Sequence, residues 1–99
     1  MNITAEISLY PLDAGYRELV IHFIEDLRSE PGIELLTNQL STQLRGDYDA
    51  VTGALQRAMR RSMERQRAGQ GATLAFVVKY LSSDLPIGTP PELAGEGDG

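Results

Sequence analysis

Residues 3–10 read Ile-Thr-Ala-Glu-Ile-Ser-Leu-Tyr, and their apolar and polar side chains alternate. Alternation at a two-residue period is typical of a strand with one covered face. It places Glu6 in the middle of the polar face. Burying a carboxylate is costly unless a cation or a hydrogen-bond donor meets it. We therefore expect Glu6 to pair with a basic side chain, Lys79 or Arg45, or with a ligand.

The sequence after this strand predicts five further secondary-structure elements. Apolar side chains at three- and four-residue spacing predict helices, and short alternating runs between turn residues predict strands. Pro31-Gly32 ends the first helix, and Asp47 or Asp49 is placed to cap the second. The predicted elements are a helix over residues 14–30, strands over 33–37 and 41–45, a helix over 48–67 and a strand over 73–81.

This order predicts an α+β fold, a ferredoxin-like βαββαβ sandwich with a four-stranded antiparallel sheet and two helices on one face. We expect the first and third strands at the centre and parallel to each other. The fourth strand then flanks the first, and the second lies outside the third. The face without helices suits an assembly surface or a ligand surface. Its predicted side chains are Glu6, Ser8, Tyr10, Ser41, Gln43, Val77 and Lys79.

The composition excludes several classes of protein. The 99 residues suffice for one domain, predicted over residues 1–81. The absence of Cys and the single His exclude thiolate sites and a multi-histidine metal centre within one chain. We expect no metal or cofactor, and no catalytic residue, because nothing in the sequence identifies a nucleophile or a base. No apolar stretch reaches the roughly 20 residues that span a bilayer, and no secretory signal is visible. We expect a cytoplasmic protein without a membrane partner.

The acidic net charge belongs to the C-terminal tail. All nine Lys and Arg precede residue 82, whereas four of the 14 Asp and Glu follow it, which leaves ten acids against nine bases in the body. A nucleic-acid-binding domain would carry a basic excess, so no nucleic-acid partner is expected. The arginines between residues 57 and 67 predict a solvated helix face. Residues 82–99, rich in Pro, Gly and acids, predict a disordered acidic tail.

Three segments of the chain resemble one known family. They are residues 4–12 (Thr-Ala-Glu-Ile-Ser-Leu-Tyr-Pro-Leu), residues 31–48 and residues 76–79 (Phe-Val-Val-Lys). The first segment, together with Ser41-Thr42 and Gly46-Asp47 in the second, is similar to the YkoF-type thiamine/hydroxymethylpyrimidine-binding proteins and to the wider thiamine-binding, ferredoxin-like superfamily. The likeness extends over most of residues 2–81 and none of the tail.

The resemblance implies a protein that is not an enzyme and that binds thiamine or its hydroxymethylpyrimidine moiety, in vitamin B1 precursor salvage or transport. Family members pair their uncovered sheet faces, and some carry two such domains in one chain. This chain has one domain, so the resemblance implies a homodimer or homotetramer. The positions in the matching segments that would contact the ligand are Glu6, Ser8, Thr37, Asn38, Ser41 and Thr42.

The chemistry of these side chains agrees with an aminopyrimidine, whose amine and ring nitrogens need an acceptor beside hydroxyl or amide donors. Glu6 can supply the acceptor, and Tyr10 can offer a ring face to a thiazolium cation. Two alternatives stay open. The chain can be a structural self-association module, with the hairpin hydroxyls serving only the turn, or a regulator or enzyme built on the same fold.

Overall fold

The computed structural model describes residues 1–12, 16–38, 40–68 and 73–88. The six elements follow in the predicted order, and the sheet has the strand order β2-β3-β1-β4. The ferredoxin-like α+β fold is therefore confirmed. The elements are β1 (Asn2–Pro11), α1 (Tyr16–Arg28), β2 (Ile33–Thr37), β3 (Thr42–Asp47), α2 (Tyr48–Ala68) and β4 (Leu74–Leu81).

Local signals set the ends of the elements. The sequence left two candidates for the cap of α2, and the structure selects Asp47, whose Oδ2 atom accepts a hydrogen bond from the backbone N–H of Asp49 at 3.2 Å. Gly32 turns the chain from α1 into β2 with a φ of 77°, a conformation that glycine adopts at little cost. The predicted start of α1 falls at residues 14 and 15, which lie outside the described ranges.

The direction of the central strands differs from our prediction. β1 pairs antiparallel with β3, where Glu6 faces Gln43, and antiparallel with β4, where Glu6 faces Lys79. A crossover helix makes β2 parallel to β1, and the short connection after β2 then reverses β3. The expectation of parallel central strands was therefore wrong.

The alternation in β1 separates a core face from an open face. Ile3, Ala5 and Ile7 are at most 4% exposed and belong to the core between the sheet and the helices. Buried side chains from the other elements complete this core, among them Phe23, Leu27, Leu44, Val51, Leu55 and Ala58. Glu6, Ser8 and Tyr10 point away from it, as predicted.

The arginines of α2 lie on its solvated side, as predicted, and some of them also form ion pairs with acids of α1 and of the segment that follows it. Arg57 donates three hydrogen bonds of 2.7 to 3.1 Å to the carboxylate of Glu30, whose side chain is only 6% exposed. One turn further along, Arg61 lies 3.6 Å from the same carboxylate. Arg65 reaches Asp26 on α1 at 3.2 Å. The spacing of four residues puts these guanidinium groups on one side of α2.

We expect the Glu30 pair to make stability depend on acid pH. The hydrogen bonds from Arg57 hold the pKa of Glu30 below its usual value of 4.5, although burial acts in the opposite direction. A carboxylate with a lowered folded pKa contributes stability above its unfolded pKa and loses that contribution as the pH falls through the folded pKa. Urea unfolding between about pH 5 and pH 3 should therefore show a shallower loss of stability in Glu30→Gln than in the wild type. Parallel curves for the two proteins would contradict this expectation.

The first part of the predicted tail lies on the open face of the sheet. Residues 82–88, which we call the strap, follow β4 directly and make hydrogen bonds to side chains of β1 and β3. The described structure thus continues past the predicted domain boundary at residue 81, because polar side chains on the open face bind the backbone of this segment. Residues 89–99 lie outside the described ranges, and the prediction for them stays a prediction.

Within the described residues, neither helix combines the length and the apolar character that crossing a bilayer requires.

Candidate functional site

A cleft of about 880 Å³ opens where β1 ends, between the first half of α1 and the connection from β2 to β3. Its volume lies within the range of small-molecule pockets. Apolar side chains of α1 and β1 form most of its wall, and polar side chains of the connection form the rest. The described residues that line it are Ile7, Ser8, Leu9, Tyr10, Leu12, Arg17, Val20, Ile21, Phe23, Ile24, Thr37, Asn38, Leu40, Ser41 and Thr42.

Five of the six predicted ligand residues line this cleft. They reach it from different faces of the sheet, because the cleft wraps around the sheet's end. Ser8 and Ser41 come from the open side, whereas Thr37 and Thr42 lie on the helix side. Glu6 does not line the cleft, but its Oε2 atom accepts a hydrogen bond from the Ser41 hydroxyl at 3.0 Å. The fold thus brings five of the residues that the resemblance implied together around one opening.

Thr37 and Thr42 form a pair of hydroxyls on the core side of the cleft. Their Oγ1 atoms lie 3.0 Å apart across the antiparallel ladder, and Thr42 is only 4% exposed. Each hydroxyl can donate one hydrogen bond and accept two, so the mutual bond leaves acceptor sites and one proton for a further partner. This pair is the most buried polar group of the cleft.

Asn38 holds the connection between β2 and β3. Its Oδ1 atom accepts hydrogen bonds from the backbone N–H groups of Leu40 and Ser41, at 2.8 and 3.0 Å. This is the local bonding by which asparagine stabilises turns. The turn role therefore accounts for the carbonyl oxygen of Asn38, and its amide NH2 group gives this cleft-lining residue donors as well.

Glu6 lies on the open face between the cleft and a second cavity. Its Oε1 atom is 3.5 Å from Lys79 Nζ, and its side chain is 33% exposed. The ion pair with Lys79 that we considered as an alternative to ligand contact is thus present within the chain. A cavity of about 500 Å³ adjoins this pair, with Gln43 and Leu81 on the sheet side and Leu85 to Gly88 of the strap as its cover.

The sequence did not indicate the contribution of α1 to the cleft. Val20, Ile21 and Ile24 line it, and Ile21 is 44% exposed. Val20 and Ile24 have the spacing of core residues, so the sequence assigns them to the core. Ile21 lies outside that spacing, and an apolar side chain beside the core stripe was the signal that could have pointed to this wall. Arg17 adds a cation to the same side of the cleft.

Among the described residues, no group of three metal-ligating side chains comes together. Neither a family model nor a curated protein matches the chain.

Solved structures do match it. The hypothetical protein MJ1052 from Methanocaldococcus jannascii shares 22% sequence identity at a TM-score of 0.68, over 89% of this chain and 87% of that one. A domain of unknown function, DUF77, from Bacillus cereus shares 18% sequence identity at a TM-score of 0.68, over 88% of this chain and 84% of that one. A Thermotoga maritima protein, TM0486, is provisionally assigned to thiamine biosynthesis or salvage. It shares 17% sequence identity at a TM-score of 0.64, over 88% of this chain and 91% of that one. These likenesses establish a shared fold.

Proposed function

We propose that this protein binds thiamine or its hydroxymethylpyrimidine moiety without catalysing a reaction, as a cytoplasmic component of vitamin B1 precursor salvage or transport. The observation that carries the proposal is the cleft around which Ser8, Thr37, Asn38, Ser41 and Thr42 converge. The shared fold with the Thermotoga maritima protein, provisionally assigned to thiamine biosynthesis or salvage, supports the same ligand class.

The cleft has the chemistry that an aminopyrimidine requires. A flat heteroaromatic ring gains from the apolar wall of Val20, Ile21 and Ile24, while its edge nitrogens need hydrogen bonds. The Thr37 and Thr42 hydroxyls and the Asn38 amide supply donors and acceptors. The Arg17 cation disfavours a thiazolium beside it, whereas the ring face of Tyr10 favours one, so charge favours a thiazolium placed toward Tyr10.

The described lining residues suit binding more than acid–base chemistry. Tyr10 and Arg17 are the titratable side chains among them, and neither a carboxylate nor an imidazole is among the described lining residues. The remaining polar groups are hydroxyls and one amide. A general acid or base works best with a pKa near the operating pH, so this set supports a binding role.

We further propose a homodimer or homotetramer that forms through the open sheet face. Exposed apolar side chains lie on this face beyond the strap, among them Tyr10 at 53% and Val77 at 52%. Ser8, Ala75 and the exposed Leu40 adjoin them. Exposed apolar groups that cluster on one face are typical of association surfaces. If such a face is the whole function, the chain is a self-association module, which is the second candidate.

Titration calorimetry of the full chain with thiamine and with hydroxymethylpyrimidine tests the proposed function. We expect binding with a Kd below about 1 mM for one of the two ligands. Glu6→Gln should weaken it by roughly 3- to 10-fold, because Glu6 orients the Ser41 hydroxyl at the cleft. Glu34→Gln, which makes the same charge change on exposed β2, serves as the control and should stay within about 2-fold. No heat with either ligand would contradict the proposal and favour the self-association module.

A further inference from the structure

The strap is attached to the open face at several points. Thr4 on β1 donates a hydrogen bond from Oγ1 to the Ser83 carbonyl at 2.8 Å and accepts one from the Leu85 N–H at 2.9 Å. Asp84 pairs with Arg45 on β3, and the hydrogen bond from Arg45 lowers the pKa of this carboxyl. The Gly88 N–H donates to Gln43 Oε1 at 3.2 Å.

These contacts carry the strap across three strands. It leaves β4, crosses β1 at Thr4, crosses β3 at Arg45 and Gln43, and ends over Leu36 on β2. Thr4 is only 7% exposed although it belongs to the face without helices. The N-terminal half of β1 is therefore covered on both sides of the sheet, by helices on one and by the strap on the other.

The end of the strap is fitted closely to the sheet. Gly88 has a φ of 75°, and a Cβ atom there would lie 2.7 Å from Leu36 Cδ2. Glycine satisfies both the backbone conformation and the close approach. The ion pair is exposed to solvent, with 31% of the Arg45 side chain and 40% of the Asp84 side chain accessible, whereas the Thr4 hydrogen bonds are partly buried. Exposed ion pairs contribute little to stability, so the Arg45–Asp84 pair positions the strap more than it stabilises it.

We propose that the strap and a second copy of this chain compete for the open face, so that the strap limits self-association. Two sheets that pack face to face lie about 10 Å apart, a space that the side chains of the two faces fill. A backbone segment lying on one face occupies that layer. The strap and a partner sheet cannot both cover Thr4, Gln43 and Arg45. This inference rests on the proposed association through the open face.

The part of the open face that the strap does not cover carries exposed apolar side chains, which suit a second copy of this chain as the partner. Tyr10 and Val77 remain more than half exposed, and they continue directly from the strap-covered half. A second copy offers the same apolar patch, and its open face carries polar side chains such as Gln43, Arg45 and Lys79 beside that patch. Displacement of the strap thus extends a small apolar contact into a contact over the whole sheet.

Release of the strap in the full chain tests this competition. Asp84→Lys places a cation beside Arg45, and Thr4→Val/Asp84→Lys also removes the hydroxyl that binds the strap backbone. Glu64→Lys makes the same charge change on the exposed surface of α2 and serves as the matched control, because it alters the net repulsion between copies equally. Sedimentation velocity gives the dimer Kd, and hydrogen exchange at the Leu85 and Gly88 amides reports whether the strap is bound.

We expect both strap variants to lose protection at these two amides and to lower the dimer Kd by roughly 3- to 10-fold relative to Glu64→Lys. Loss of protection with an unchanged or raised Kd would overturn the competition, since the strap would then be neutral toward the interface or part of it. Monomers in every variant up to about 1 mM would also overturn it. The calorimetric titration of the cleft is independent of both results, so failure of the strap inference and failure of ligand binding are told apart.

Discussion

Leu44→Ala is expected to lower the free energy of unfolding by about 3 kcal/mol, a large share of the stability of a domain of this size. Leu44 lies on the central strand β3 and is fully buried, and its backbone pairs with Ala5 on β1 and Leu35 on β2. Truncation removes apolar burial and leaves a cavity at the centre of the sheet. The close packing around it has little freedom to collapse.

Urea unfolding followed by circular dichroism measures this loss, with Leu40→Ala as the matched control. Leu40 is 85% exposed, so the same substitution there should change the free energy of unfolding by less than about 0.5 kcal/mol. A loss below about 1 kcal/mol in Leu44→Ala would show that β3 is not at the centre of the core.

The double substitution Thr37→Val/Thr42→Val is expected to weaken ligand binding by roughly 10- to 30-fold and to leave the fold intact. The two hydroxyls bond each other at 3.0 Å, so replacing both with a side chain of the same shape leaves neither one unpaired. The cleft keeps its volume and its apolar wall. It loses the buried polar pair that we propose meets the ring nitrogens of the ligand.

Calorimetry with the ligand that binds the wild type, together with thermal unfolding, checks both halves of this expectation. Thr52→Val is the matched control, because the Thr52 hydroxyl bonds the Tyr48 carbonyl within α2 and does not line the cleft. An unchanged Kd in the double variant would mean that the hydroxyl pair serves only the hairpin. A large drop in Tm would mean that the pair is structural.

The sequence predicted the fold because its signals were local and consistent. The alternation around Glu6 identified the open face, and the order of elements identified the topology. The predicted direction of β3 was wrong. The crossover through α1 makes β2 parallel to β1, and the hairpin after β2 then makes β3 antiparallel to both. The wrong direction did not change which residues share a face, since side-chain alternation holds in either direction.

The candidate site could be predicted in part. Matching segments pointed to polar residues that do converge, since the connection after β2 places Asn38 and Ser41 beside the end of β1. The contribution of α1 to the cleft was missed because Val20, Ile21 and Ile24 are apolar, and sequence alone does not distinguish an apolar side chain that lines a cleft from one that lies in the core. The strap was missed because its composition is that of a loop, and its binding depends on Thr4 and Arg45, which are distant along the chain. Such contacts leave no periodic signal.

The pairing of β1 has a consequence for how the chain folds. Asn2 pairs with Asp47, and Thr4 pairs with Leu81, so both neighbours of β1 in the sheet are distant from it along the chain. Closing loops of this length must precede any gain from strand pairing, which slows folding relative to helical domains of similar size. The pairing of β2 with β3 is local and can form early, whereas both pairings of β1 close long loops and are expected to form later.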